Sequence, residues 1–283
     1  MKYLFTFLAI LILSSCSPTI VTSSETPPET IDPVEGEIVD DAPVNEIKEI
    51  VKNDPSATYS EKELTVGNRS IVVAKYQKGS GPTFINLHDD ENTSVIAAAA
   101  VIDSLGGTLL QLRHSGKRNV EFRLDGKPFE FDPNRMFTDL GATNTLNRFG
   151  GSIRSAHTEV RQFADEVVKE VNADIIFTLH NNSEDRYSAK SYLDQYKNDA
   201  AAVHINPNRD PDDFYFVTEP LFYDALKIRG YNVVLQNNKT ATDDGSLSVL
   251  AAKRKIPYIN IEAQHGHLAE QIDMLLTIYE LFL

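Results

Sequence analysis

Beyond residue 57 the chain alternates short, continuously apolar runs with longer runs of helical period. Residues 83–87, 108–112 and 174–179 (Asp174-Ile175-Ile176-Phe177-Thr178-Leu179) are short and almost wholly apolar, which predicts strands buried on both faces. Residues 63–66 and 71–74, joined by Gly67-Asn68-Arg69, predict a hairpin, and 120–124 with 129–131 predict a second one about Asp125-Gly126. Further strands are expected at 202–205, 214–217, 233–235 and 258–261. Helices are expected at 92–102, capped by Asn92-Thr93-Ser94 and ended by Gly106-Gly107, and at 158–171, where Val160, Phe163, Ala164, Val167 and Val168 share a face. Three more should span 220–228, 247–255 and 267–283. Strands alternating with helices in this way predict one α/β domain over residues 58–283, a mostly parallel mixed sheet covered by helices on both faces. No internal repeat is visible.

The chemistry concentrates where these strands should end. His88-Asp89-Asp90-Glu91 follows the apolar run 83–87, so a histidine and a glutamate three residues apart can turn toward one point in the adjoining loop. Catalytic zinc sites take three protein ligands, and two histidines with one glutamate is a known set. The third ligand should be a distant histidine, and His180, at the end of the run 174–179, is well placed. Glu262 likewise ends an apolar run. In open α/β sheets, sites form outside the carboxyl ends of strands, so the shared placement of His88, His180 and Glu262 is a signal in itself. Asp89 and Asp90 are expected to point elsewhere and to raise the local negative potential. His114, His157 and His204 read as surface or satisfied core residues, and His265 and His267 carry no assigned role. The chain's single cysteine, Cys16, excludes an internal disulfide or a cysteine ligand in the domain.

In order along the chain, His88-x-x-Glu91, Asp132-Pro133-Asn134-Arg135, His180, and Gly245-Ser246 ahead of Glu262 resemble the zinc carboxypeptidases of the carboxypeptidase A type, over most of residues 84–264. The resemblance implies one zinc ion on His88, Glu91 and His180, with Glu262 as general base and proton shuttle for the attacking water. It implies that Asn134 and Arg135 grip a substrate's terminal carboxylate and that Asp132 orients His88 by accepting its free ring N–H. An oxyanion also needs a cation: Arg118 or Arg113, with Arg123 as a third choice. The implied activity is hydrolysis of an amide next to a free carboxylate, by a carboxypeptidase acting on peptides, such as cell-wall stem peptides. A deacylase of small N-acyl amino acids and a catalytically silent envelope binding module are the alternatives. The chain departs from the family in two respects. Residues 237–244 hold no tyrosine to cap the substrate, and a short 88–180 segment implies a more open cleft.

The amino terminus bears on location. Met1-Lys2, an apolar stretch over residues 4–13 and Leu13-Ser14-Ser15-Cys16 read as a signal peptide over 1–15 with a lipobox-like cleavage site. The stretch is too short to span a bilayer, which takes about 20 residues. Lipidation of Cys16 would anchor the chain to a bacterial envelope membrane, and Ser17 fits sorting to the outer membrane. Residues 16–57, rich in Pro, Ser, Thr and acid, are expected to form an extended, solvated tether. They contribute much of the formal net charge of −14. So negative a balance argues against nucleic acid as a partner.

Overall fold

The computed structural model describes residues 42–171 and 173–282; the expected signal peptide and Cys16 lie outside them. Elements follow in the order α1 Ala42–Asn53, β1 Ala57–Val66, β2 Arg69–Lys78, β3 Thr83–Asn86, α2 Asn92–Leu105 and β4 Gly107–Arg113. After the hairpin β5 Val120–Leu124 and β6 Lys127–Phe131 come α3 Asp139–Arg148, α4 Arg154–Val171 and β7 Ile176–Asn182. The chain continues through β8 Ala200–His204, β9 Phe214–Val217, α5 Pro220–Ile228, β10 Asn232–Gln236, α6 Leu247–Arg254, β11 Tyr258–Gln264 and α7 Leu268–Phe282. Among the described residues no helix is long and apolar enough to cross a membrane.

The main sheet is nine-stranded and mixed, in the order β1-β2-β4-β3-β7-β11-β9-β10-β8. Its centre, β4-β3-β7-β11, is parallel throughout, as is β9 with β10, and the remaining pairs are antiparallel. Parallel strands need both faces covered, and the continuous apolarity of β3, β4 and β7 meets that requirement. On one face Val160, Phe163 and Val167 of α4, Leu146 of α3 and Leu247 of α6 pack with Leu110, Leu112 and Tyr258. On the other, Val95, Ala98 and Ile102 of α2, Leu226 of α5 and Leu275 and Ile278 of α7 pack with Leu109, Phe177, Leu179 and Ile261. Each fully buried side chain of this kind contributes about 1.5–3 kcal/mol.

Three elements differ from expectation. Residues 42–53, within the expected extended tether, form α1, because Ile47, Ile50 and Val51 recur at helical spacing and pack against the α2 and α7 face. Residues 139–148, with no strong apolar period, form α3, because Thr138 Oγ1 accepts the Gly141 N–H at 3.0 Å and Ala142 and Leu146 are buried. Helix α2 begins without a side-chain cap of its own. Its Ser94 N–H is taken at 2.9 Å by Oδ1 of buried Asn181 on β7, while Asn181 Nδ2 donates to Gln271 Oε1 of α7 at 2.9 Å.

Asn181 thus joins a central strand to the two helices that cover it. Asn181→Ala should cost at least about 2 kcal/mol, because it strands a buried N–H and a buried amide. Urea unfolding measures this directly, and a change below roughly 0.5 kcal/mol, the level of an ordinary surface substitution, would refute the assignment.

Candidate metal centre and active site

Because β3, β7 and β11 are adjacent and parallel, their carboxyl ends open at one edge of the sheet. His88 and Glu91 lie in the turn after β3, and His180 and Glu262 are Cα partners across β7 and β11. Strand alternation turns His180 and Glu262 to the face covered by α3, α4 and α6, together with Thr178, Asn260 and Tyr258. His88 Nδ1 is 2.8 Å from Glu91 Oε1, His180 Nδ1 is 2.9 Å from Glu91 Oε2, and the two Nδ1 atoms are 3.1 Å apart. All three side chains are buried. They are the one group of three such donors among the described residues with ligand atoms all within 4.8 Å of one another.

This arrangement fits a metal cation. Two ligands on one zinc, each about 2.0–2.2 Å from it, lie no more than about 4.4 Å apart, and the three observed separations fall inside that bound. The remaining nitrogen of His88 is fixed as well: Nε2–H donates to Asp132 Oδ1 at 2.9 Å, the carboxylate support that metal-binding histidines usually have. Without a cation, Glu91 and Asp132 draw positive charge into the cluster. Burial and Arg118 oppose a charge on His88, yet Glu91 and Asp132 outweigh them and hold its imidazole up at about 9. Burial likewise opposes the charge on Glu91, but His88 and His180 hold its carboxyl well below the usual range. Burial lowers His180 against the pull of Glu91.

Glu262 is opposite in character. Burial, then the neighbouring charge of Glu91, pushes its carboxyl up to about 8, against a hydrogen bond from Asn260 and the charges of Arg118 and His88. A chain of side chains orients it: Tyr258 O–H lies 2.6 Å from Thr178 Oγ1, which donates to Asn260 Oδ1 at 3.1 Å, while Asn260 Nδ2 donates to Glu262 Oε2 at 2.9 Å. Sequence reasoning missed this role of Asn260. Its signal was the period of two that puts residue 260 on the same face as 262.

Residues 132–135 form a tight helical turn, Pro133–Arg135, capped by Asp132, whose Oδ1 also accepts the Asn134 N–H at 2.8 Å. The turn docks on the segment before α6. Asn134 Oδ1 accepts the Leu247 N–H at 3.1 Å, Gly245 O accepts the Phe137 N–H at 2.9 Å, and Arg135 Nε lies 3.5 Å from Asp244 Oδ2. Gly245 is required there, since it sits at φ 82 and a Cβ would come within 2.3 Å of Arg135 O. Asn134 Nδ2 is 3.3 Å from His180 Nε2, so the Asn-Arg pair borders the histidine cluster.

Of the three arginines considered, Arg118 reaches the cluster: Nη1 donates to Glu91 Oε1 at 2.9 Å and Nη2 is 3.7 Å from Asp132 Oδ2. Arg113 does not, because the alternation of β4 places it on the opposite face from Leu110 and Leu112, with Nη1 3.6 Å from Glu61. Arg123 Nη1 donates to Gly126 O in the hairpin turn. His267 Nδ1 pairs with Asp213 at 2.9 Å and the His265 N–H donates to Asn182 O, both tying the end of β11. Tyr187 and Tyr192, whose hydroxyls are 2.5 Å apart, both feel the charges of Glu262 and Arg135.

No family model and no curated protein matches this chain. Among solved structures, a metallo-carboxypeptidase from Burkholderia cenocepacia is similar at 11% identity and a TM-score of 0.39, covering 86% of this chain and 69% of its own. The LapA aminopeptidase of Legionella pneumophila is similar at 10% identity and TM-scores of 0.37 and 0.36, covering 81% of this chain. The chain spans about half the length of the LapA structures (53% and 55%). At such scores, function is to be sought in the geometry of the site itself.

If the cluster is an ion site, saturating zinc at about 100 times Kd should stabilise the protein by about 2.7 kcal/mol, raising Tm by roughly 5–10 °C. His180→Ala should abolish both that shift and stoichiometric zinc in elemental analysis. An equal shift in parent and variant would remove His180 from the site.

Proposed function

We propose that this chain is a zinc-dependent hydrolase that cleaves an amide bond next to a free carboxylate, acting as a carboxypeptidase on peptides. The observation that carries the reading is the convergence, at one edge of a parallel sheet, of a His88-Glu91-His180 donor set with a buried, oriented Glu262 beside it. Bound there, zinc would supply a Lewis acid that polarises the scissile carbonyl and makes water a competent nucleophile near neutral pH.

The remaining tasks fall to the chain. Glu262 takes a proton from the attacking water and returns it to the leaving amine. A carboxyl held at about 8 by burial and by Glu91 is an acceptor near neutrality once a cation offsets that repulsion. Arg118, charged and partly exposed beside Glu91, is placed to meet the oxyanion, and such donors matter because that charge develops only in the transition state. Arg135, whose Nη1 donates to Asn134 O and whose Nε lies near Asp244, would turn its planar guanidinium to a carboxylate, and the neighbouring Asn134 contacts His180. The signal-like start and Cys16 support an envelope-anchored enzyme, for which stem peptides are the first substrates to try.

Glu262→Gln should keep its zinc and lose at least about 100-fold in turnover, the usual worth of a positioned acid-base group. Turnover near the parent level would show that another group moves the proton.

Arg135→Lys keeps the charge but loses the fork. It should lower kcat/KM by roughly tenfold or more on peptides with a free terminal carboxylate, while amidated peptides remain poor substrates and indifferent to the change. Equal cleavage of free and amidated peptides would overturn the carboxypeptidase reading, and a preference for N-acyl amino acids over longer peptides would turn it into a deacylase.

A further inference from the structure

Asp89 stands directly after His88, yet its side chain turns away from the cluster. Its Oδ2 accepts three successive backbone N–H groups, from His114 at 2.6 Å, Ser115 at 2.8 Å and Gly116 at 2.6 Å. Successive amides turned onto one oxygen form an anion-binding concavity, and bonds to an ionised acceptor are roughly twice as strong as neutral ones. Gly116, at φ 70, provides the left-handed residue that lets the third amide join the other two. Among the described residues, no backbone-to-backbone hydrogen bond outside the strands ties residues 114–118 to another segment. The carboxylate of Asp89 is therefore the main anchor of that loop's backbone.

Two residues past this grip, the loop delivers Arg118 to Glu91 and Asp132. The Arg118 side chain is 45% exposed and meets the buried Glu91 carboxylate only at its guanidinium. Its placement thus depends on where the backbone starts. The turn that carries His88 and Glu91 also carries the anchor, so the cation and the donor set are fixed to one short segment.

We propose that Asp89 is a positioning residue: it holds residues 114–116 so that Arg118 presents its guanidinium to the site. Its kinetic consequence rests on the zinc hydrolase reading, and its structural consequence does not. Asp89 was expected only to deepen the local negative potential; three N–H groups consume that charge instead.

The test starts from the metal-free protein, by NMR. In Asp89→Ala, amide exchange at residues 114–116 should accelerate by at least about tenfold while β7 and β11 keep their protection, and the Arg118 Nε–H signal should move to the position of a free arginine. Asp89→Asn, which keeps an acceptor oxygen, should show smaller changes of both kinds and serves if the alanine variant fails to fold. Unchanged exchange at 114–116, or an unmoved Arg118 signal, overturns the proposal whatever the activity. In zinc-loaded enzyme, Asp89→Ala should lower kcat by about tenfold with KM held within about twofold, yet cost less than about twofold in an Arg118→Ala background. Additive losses in the two backgrounds would show that Asp89 does not act through Arg118. A displaced Arg118 signal in a protein that cleaves no amide would sustain the positioning role and overturn the hydrolase reading instead.

Discussion

A carboxylate held between two imidazoles, out of water and with every donor atom within about 3 Å, is the interaction around which this molecule is arranged. Burying Glu91 alone would cost several kcal/mol. It is tolerated because His88 and His180 flank the carboxylate and Arg118 donates to it. That balance can be assembled only where several chain segments end together, which is what the parallel run β3-β7-β11 provides. Had β7 and β11 been antiparallel, the residues at their carboxyl ends would lie at opposite edges of the sheet, and Glu262 could not face the cluster from beside His180.

The same constraint explains the rest of the layout. Residues 132–135 must approach from outside the sheet to supply Asp132 to His88, and they do so through a turn whose close contact with the segment before α6 permits no side chain at Gly245. The layer beneath, Tyr258, Thr178 and Asn260, follows from strand alternation below His180 and Glu262, and it gives a buried carboxylate one fixed orientation. On the opposite face, Asn181 joins β7 to α2 and α7.

What was legible in the sequence was what repeats or what clusters. Buried strands announce themselves by continuous apolarity, so the ends of β3, β7 and β11, and with them His88, His180 and Glu262, could be placed without coordinates. Helices α1 and α3 were not legible, the first because Ile47 and Ile50 sit in an acidic, proline-rich surround, the second because Gly141, Thr143 and Asn144 carry little helical preference and a buried Leu146 decides the matter. Arg113 and Arg118 look alike in sequence, since both flank one basic loop. Only the face on which β4 ends, and the grip of Asp89 on the loop beyond, separate them.

Energetics also bear on the silent scaffold considered as an alternative. Buried ion pairs are poor sources of stability, and well-packed apolar residues often replace them without loss. A structural role would be met as well by leucines in place of His88, Glu91 and His180, and it would give no reason for a second carboxylate whose protonation is displaced by burial and by Glu91. Perturbed titration of this kind collects at functional sites, because a proton acceptor is useful only near the working pH. Asn260, Arg118 and His88 only partly offset the cost of Glu262 in its present place, and a cation on the neighbouring donors would further reduce the repulsion from Glu91. The pairing of a convergent donor set with a buried, oriented carboxylate therefore supports the proposed ion-dependent hydrolase over an inert relic of one.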